Sequence, residues 1–237
     1  MSPITLVLLP GLDGSGTLFA NLLAELPKEI KVVVAAYPQH QFLSYSQLVI
    51  WLKDAVPKDS AYVVLGESFG SELAVKFAAT HPPNLAGIIL CAGFISNPVR
   101  SWGILPRLLA NPFLFQFQPP DFAVKYFVAG AHAPRSLIQA VREARRSVNT
   151  TVFAKRAQAT IHCNAREEIL KVNVPLLYLQ ATEDHLVEKS SLTEIQRLHP
   201  QTISVTIRAP HLLLQTEPRA AAAAITNFLE AQGLYKA

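Results

Sequence analysis

The chain has 237 residues, half of them hydrophobic and only 16% charged, with a formal net charge of +4. That composition suits one large domain, or one domain with an insertion, and excludes a disordered chain. No apolar run approaches the ~20 residues of a membrane-spanning helix, two cysteines are too few for a disulfide scaffold or a metal cage, and the mild charge without a dense basic stripe speaks against nucleic acid as a partner.

In chain order, residues 4–9 form a continuous apolar run closed by Pro10-Gly11, the pattern of a buried parallel strand. No basic region precedes that run, so no signal peptide is expected, and with few cysteines a reducing cytoplasm is the expected compartment. The loop Pro10-Gly11-Leu12-Asp13-Gly14-Ser15-Gly16 follows, then a helical stretch over 17–26. Its glycines at 11, 14 and 16 do not fit Gly-x-Gly-x-x-Gly, and no Lys-Ser/Thr ends it, so a phosphate cradle is disfavoured. Residues 31–37 predict the next strand. Ser44-x-x-Gln47 has the form of a capping box opening a helix through Leu48, Trp51, Leu52 and Ala55.

Residues 61–65 predict a third strand, which ends in Gly66-Glu67-Ser68-Phe69-Gly70. Gly-x-Ser-x-Gly alone is common in ordinary turns. Between an apolar strand and a helix (68–80) it describes a sharp turn that leaves a serine hydroxyl exposed at a sheet edge. His81, at the far end of that helix, is expected to be a C-terminal helix residue, where a cation is favourable, and not a base. Residues 87–92 predict a fourth strand. Strand-helix alternation implies a doubly wound, mostly parallel sheet with helices on both faces.

From 93 to about 172 the alternation breaks. Pro98, Pro106, Pro112, Pro119, Pro120 and Pro134 punctuate a stretch rich in aromatics, among them Phe94, Trp102, Phe113, Phe115, Phe117, Phe122, Tyr126, Phe127 and Phe153. It predicts a helical insertion whose aromatics either fasten it to the sheet domain or line an apolar pocket. Arg142, Arg145, Arg146, Lys155 and Arg156 are expected to form a solvated helix face. His132 and His162 lack neighbouring ligand residues, so metal is not expected. Alternation resumes with strands over 174–181 and 202–208, a helix over 189–198 between them, and a final helix over 217–229.

Ser68 needs a base within hydrogen-bond reach, and the base needs an orienting acid. Loops at the C-terminal strand edges of such a sheet converge on one crevice. Asp184 lies just past strand 174–181 and His211 just past strand 202–208, which gives the order Ser68, Asp184, His211. Glu183 is a substitute acid; His185 and His199 are placed less favourably as bases.

Four segments together resemble the α/β-hydrolase superfamily over essentially the whole chain. Residues 8–14 resemble its oxyanion loop, 66–70 its nucleophile elbow, 181–187 its acid turn (with Ala181 where Gly is common) and Pro210-His211 its histidine turn. The chain looks most like the small bacterial subgroup whose oxyanion loop begins Pro-Gly-Leu-Asp-Gly. The resemblance implies a six-stranded core from 1–93 and 173–237 with a helical lid inserted at 94–172. It implies catalytic Ser68, Asp184 and His211, with the backbone N–H groups of Leu12 and Phe69 as the oxyanion hole. The expected function is hydrolysis of a small carboxylic ester with an apolar part through an acyl-enzyme, by a cytoplasmic monomer or homodimer. No cofactor, metal, nucleic acid or stable membrane insertion is expected. Thioesterase or acyltransferase action with the same triad, or a non-catalytic ligand-binding protein on this fold, are the alternatives.

Overall fold

The structure, a computed structural model, describes residues 4–103 and 113–236. Pro106 and Pro112 therefore lie outside the described residues, as does the Trp102 side chain. Six strands, β1 (Thr5–Leu9), β2 (Lys31–Val34), β3 (Tyr62–Glu67), β4 (Leu85–Cys91), β5 (Leu176–Ala181) and β6 (Ile203–Ile207), form one all-parallel sheet in the order β2-β1-β3-β4-β5-β6. The central strands are apolar throughout because both faces are covered. Side chains alternate between the faces. Val7, Leu9, Val64, Ile88 and Leu90 pack toward α2 (Tyr45–Ala55), α3 (Phe69–Ala78) and Leu192 and Ile195 of α8 (Ser190–Leu198). Leu6, Leu8, Val63, Leu65 and Ile89 pack toward α1 (Ala20–Glu25) and α10 (Pro218–Ala231).

Local chemistry sets several boundaries. Ser44 Oγ accepts from Gln47 N while Gln47 Oε1 accepts from Ser44 N, the reciprocal cap that starts α2. β2 stops at Val34, short of the expected 37: Ala35 N still donates to Leu8 O of β1 at 3.0 Å, but Tyr37 N turns to Gly14 O at 2.8 Å. The first helix is a 3₁₀ turn, Thr17–Phe19, running into α1, and a short α9 (Leu213–Thr216) precedes α10, which has Pro218 at its first turn. His81 is not a helical residue. α3 ends at Ala78, and His81 sits beyond it at φ 50.

Between β4 and β5 run 3₁₀ turns at Arg100–Trp102 and Leu114–Gln116, α4 (Asp121–Val124) continuing into a π-helical turn Lys125–Ala129, then α5 (Arg135–Ser147), α6 (Thr150–Ile161) and α7 (Arg166–Ile169). At its base this segment is closed by an isolated bridge between Ser96 and Asn164 and by Ala165 N donating to Ile95 O at 2.7 Å. Ala165, Ile169 and Val172 already belong to the core beneath the sheet.

The strand order reverses at β1, which pairs with β2 on one side and β3 on the other. In open parallel sheets the crevice outside the strand ends at such a reversal is where ligands bind. Leu9 pairs with Gly66, so the loops that leave β1 and β3 start side by side.

Candidate active site

Ser68 sits between β3 and α3 at φ 50, ψ −114, a conformation that costs a non-glycine residue ~1–3 kcal/mol and persists only when its surroundings hold it. They hold it by backbone bonds: Ser68 N donates to Cys91 O at 2.9 Å, and Ser71 N and Ser71 Oγ donate to Ser68 O at 2.9 and 2.5 Å. Ser71 Oγ also accepts from Phe94 N at 3.0 Å, so this hydroxyl ties the turn to the chain beyond β4. The flanking glycines serve close approach, not unusual dihedrals. A Cβ on Gly66 would strike the Gly70 backbone, and one on Gly70 would press on the carbonyls of Leu9 and Pro10.

The loops after β5 and β6 are knitted together by Thr182 N to Ile207 O and Glu183 N to Ala209 O, at 3.0 and 2.9 Å. This carries Asp184 and His211 to the same edge. His211 Nδ1 lies 2.8 Å from Asp184 Oδ2, and its Nε2 lies 3.0 Å from Ser68 Oγ. Asp184 Oδ1 accepts from the Leu186 and Val187 amides at 2.7 and 2.9 Å. A carboxylate only accepts, so Nδ1 carries the proton, Nε2 is the free base, and the serine O–H donates to it. Burial by itself would raise the Asp184 carboxyl. His211 beside it and the two amides outweigh that and hold it below the ordinary carboxylate range. Burial by itself would lower His211, but Asp184, with a smaller contribution from Glu67, holds the imidazole above its ordinary value.

Ser68 and His211 open into a cavity of about 760 Å³. Leu18, Phe115, Phe117, Phe127, Phe153 and Leu186 are among its lining side chains, so its surface is overwhelmingly apolar. Phe113, Phe122 and Tyr126 are exposed and off this wall, whereas Phe117 is on it and still largely exposed, at the cavity's rim. The other candidates fall away from the site. Glu183 is solvent-facing and pairs with Arg208 at 2.8 Å. His185 Nδ1 donates to Tyr126 O at 2.8 Å. His199 is buried at the end of α8, with Nδ1 2.9 Å from Thr202 Oγ1. Among the described residues, no cluster of three or more His, Cys, Asp or Glu could hold a metal ion.

A sequence model described as serine aminopeptidase, S33 (Hydrolase_4) matches residues 45–218, most of the chain. The chain belongs to the Hydrolase_4 family. It is a serine-type hydrolase of the α/β-hydrolase superfamily. Among curated proteins it is 24% identical over 254 residues to RutD of Caulobacter sp. (strain K31), a candidate carbamate hydrolase, with 96% of this chain and 91% of RutD covered. A hydrolase from Oleispira antarctica superposes with a TM-score of 0.82 at 15% identity, covering 97% of this chain and 92% of its own. An esterase from Exiguobacterium antarcticum does so at 0.77 and 15% identity, with the same coverage. At these identities the solved structures speak for the fold alone.

Two features of this Hydrolase_4 protein were not legible in its sequence. The first corrects the expectation of a solvated basic face. Arg146 and Lys155 are exposed, but Arg145 and Arg156 are buried. Arg145 donates to Phe115 O and stands 4.4 Å from the Phe153 ring centroid. Arg156 donates to the carbonyls of Leu12, Asp13 and Pro38. Backbone carbonyls and aromatic faces replace water around both guanidiniums, and nothing in helical spacing signals an acceptor 30 residues from Arg145 or 118 to 144 residues from Arg156.

The second is Glu67, the residue before Ser68. It is 4% exposed and accepts from Gln215 Nε2 at 2.9 Å. Burial raises its carboxyl to about 7, against the Gln215 bond and the nearby His211. A carboxyl whose folded pKa lies above its unfolded value of 4.5 favours the fold fully below pH 4.5, and that contribution is lost as pH rises through about 7. The parent is therefore expected to lose ~3 kcal/mol between pH 4.5 and 8 on this account. Glu67→Gln removes that loss and supplies a donor for Gln215 Oε1, which is buried without a partner. Denaturant unfolding at pH 5 and pH 8 checks this: the parent's stability difference should exceed the variant's by most of that amount.

Proposed function

We propose that the protein is a serine carboxylester hydrolase acting on small esters with an apolar acyl or alcohol part. The carrying observation is a chain of hydrogen bonds, Asp184 to His211 to Ser68, that ends on a hydroxyl inside an apolar cavity. Ser68 Oγ attacks the ester carbonyl carbon while its proton passes to His211 Nε2. The tetrahedral intermediate collapses, and the leaving alcohol takes that proton. Water then attacks the acyl-enzyme, gives a proton to His211, and Ser68 is regenerated as the acid departs. Asp184 keeps Nδ1 protonated and stabilises the imidazolium. The reaction needs no cofactor.

The backbone N–H groups of Leu12 and Phe69 are the oxyanion donors in this reading. The Leu12 N–H bonds to no acceptor among the described residues, and the Phe69 N–H belongs to the unpaired first turn of α3, where a negative charge is favoured. The loop sequence, Pro10 to Gly14, is the basis for grouping the chain with the small bacterial hydrolases that share it. Residues 94–172 act as a lid, a role supported by the number of their side chains in the cavity wall. The Val128 carbonyl accepts from Leu212 N at 3.0 Å, so the lid touches the histidine turn itself. Cys91 and Cys163 are both buried and free, in keeping with a reducing compartment.

The family description names an aminopeptidase, whose substrates carry an ammonium group. The carboxylates on the cavity wall are Asp13 and Glu67, and the rest of its surface is overwhelmingly apolar. Asp13 Oδ2 is taken by Ser15, and Glu67 is partly protonated near neutral pH. A fluorophosphonate is expected to modify Ser68, read by peptide mass. In a series of p-nitrophenyl esters kcat/KM is expected to rise about fourfold per added methylene until the cavity is filled, at ~0.8 kcal/mol for each buried CH₂. An aminoacyl p-nitroanilide cleaved faster than every ester, or modification of the protein at a residue other than Ser68, would overturn the reading.

A further inference from the structure

Arg156 lies 144 residues from Leu12 in sequence, on a helix of the insertion, yet its side chain reaches under the loop that follows β1. It is 2% exposed. Nη1 donates to Leu12 O at 3.0 Å and to Asp13 O at 2.9 Å, and Nη2 donates to Pro38 O at 2.9 Å. Its guanidinium carbon stands 5.4 Å from the Tyr37 ring centroid. Among the described residues no carboxylate forms an ion pair with it. Asp13 acts on it only from beyond ion-pair distance, a buried charge without a paired counterion is costly, and a lysine or an uncharged residue would leave fewer carbonyls bonded. The feature calls for a reason beyond packing.

The reason lies in the peptide units it touches. Residues 11–14 form a turn closed by Gly14 N donating to Gly11 O at 3.1 Å. The C=O and N–H of one trans peptide point in opposite directions, so this closure orients the Leu12 N–H, which shares its peptide with Gly11 O. The soft motion of such a turn is rotation of its central peptide, and the carbonyl of that peptide is Leu12 O. Arg156 holds it, together with the next carbonyl, Asp13 O. Tyr37 supplies the outer restraints: its hydroxyl donates to Pro10 O at 3.0 Å and its N–H to Gly14 O. All five carbonyls from Pro10 to Gly14 are thereby engaged. Gly14, at φ 67, has no room for a side chain, because a Cβ there would strike Arg156 Nη1 and the Tyr37 ring.

We propose that Arg156 is the positioning residue of the oxyanion hole, locking the 11–14 turn from the insertion side, and that α6 is a fixed wall of the active site. The proposal rests on the serine-hydrolase reading above. Movement of α6 away from the core would release the turn. The hole forms only when the insertion is docked.

The test compares Arg156→Ala, Arg156→Lys and Tyr37→Phe with the parent on a p-nitrophenyl ester, on an alkylboronic acid, which forms a tetrahedral adduct with the serine, and on the alcohol of the same chain length, which only fills the cavity. Arg156→Ala is expected to lower kcat/KM about 10²-fold, the scale of one lost oxyanion donor. It should weaken the boronic acid by a similar factor and leave the alcohol within twofold. Guanidinium ion added to the alanine variant should restore activity, and Arg156→Lys should fall between, since an ammonium cannot span three carbonyls. If the alanine variant does not fold, the lysine and Tyr37→Phe variants are read by the same correlation. Boronic acid and ester values within twofold of the parent, or alcohol affinity lost in step with kcat/KM, overturn the proposal while leaving the hydrolase reading intact. A parent that neither labels at Ser68 nor turns over any ester overturns both.

Discussion

Replacing Ser68 with alanine is expected to lower kcat for p-nitrophenyl esters by ~10⁶-fold and to abolish fluorophosphonate labelling, with KM nearly unchanged. The hydroxyl is the only group removed. The strained backbone at φ 50 is held by bonds that alanine keeps: Ser68 N to Cys91 O, and Ser71 N and Oγ to Ser68 O. The variant should therefore fold, losing at most the net worth of one hydrogen bond to His211, about 1 kcal/mol. The cavity and the amides of Leu12 and Phe69 are untouched, so substrate still binds, and a residual rate ~10³-fold above water is expected from them. Steady-state kinetics on folded variant decides the matter. Retention of more than a hundredth of the parental kcat would remove Ser68 from the role of nucleophile.

Asp184→Asn should cost ~10⁴-fold in kcat, for a reason visible in the local bonding. Leu186 N and Val187 N both donate to Asp184 Oδ1. In the asparagine variant these two amides claim the amide oxygen, so the NH₂ group is turned toward His211 Nδ1. Nδ1 must then accept, the proton moves to Nε2, and Nε2 can no longer take the proton of Ser68. Glu183 cannot stand in, because it is exposed and paired with Arg208. The pH profile should change as well. Asp184 holds His211 above its ordinary pKa of 6.5, and activity requires the neutral imidazole, so parental kcat/KM falls as pH drops through a value above 6.5. Removing the carboxylate lowers that pKa and moves the acid limb to lower pH. A fall in kcat of less than tenfold, or an unmoved acid limb, would contradict this account.

The fold is legible in the sequence because a parallel sheet covered on both faces writes itself as short apolar runs. Thr5–Leu9 and Leu176–Ala181 are bounded by Pro, Gly or polar turns, and helical spacing fills the intervals. Boundaries move where tertiary bonds recruit the backbone, as when Tyr37 leaves the β2 ladder to hold Pro10 and Gly14. His81 reads as helical in composition, but Pro82 and Pro83 end α3 earlier, and the chain turns through a left-handed residue there. The buried arginines of the insertion are illegible because a guanidinium satisfied by carbonyls looks, in sequence, the same as one satisfied by water.

By itself the sequence determined the order of strands and helices, the turn around Ser68 and the positions of Asp184 and His211 just past strand ends. These follow from local periodicity and from the chemistry of glycine and proline, which act over a few residues. Only the tertiary structure decided that His211 Nε2 meets Ser68 Oγ at 3.0 Å, which aromatics of the insertion face the 760 Å³ cavity, and that Arg156 closes on the loop after β1. The two hydrogen-bonded contacts join residues 143 and 144 positions apart. They are set by strand order and by the packing of the segment between β4 and β5, for which no local pattern exists.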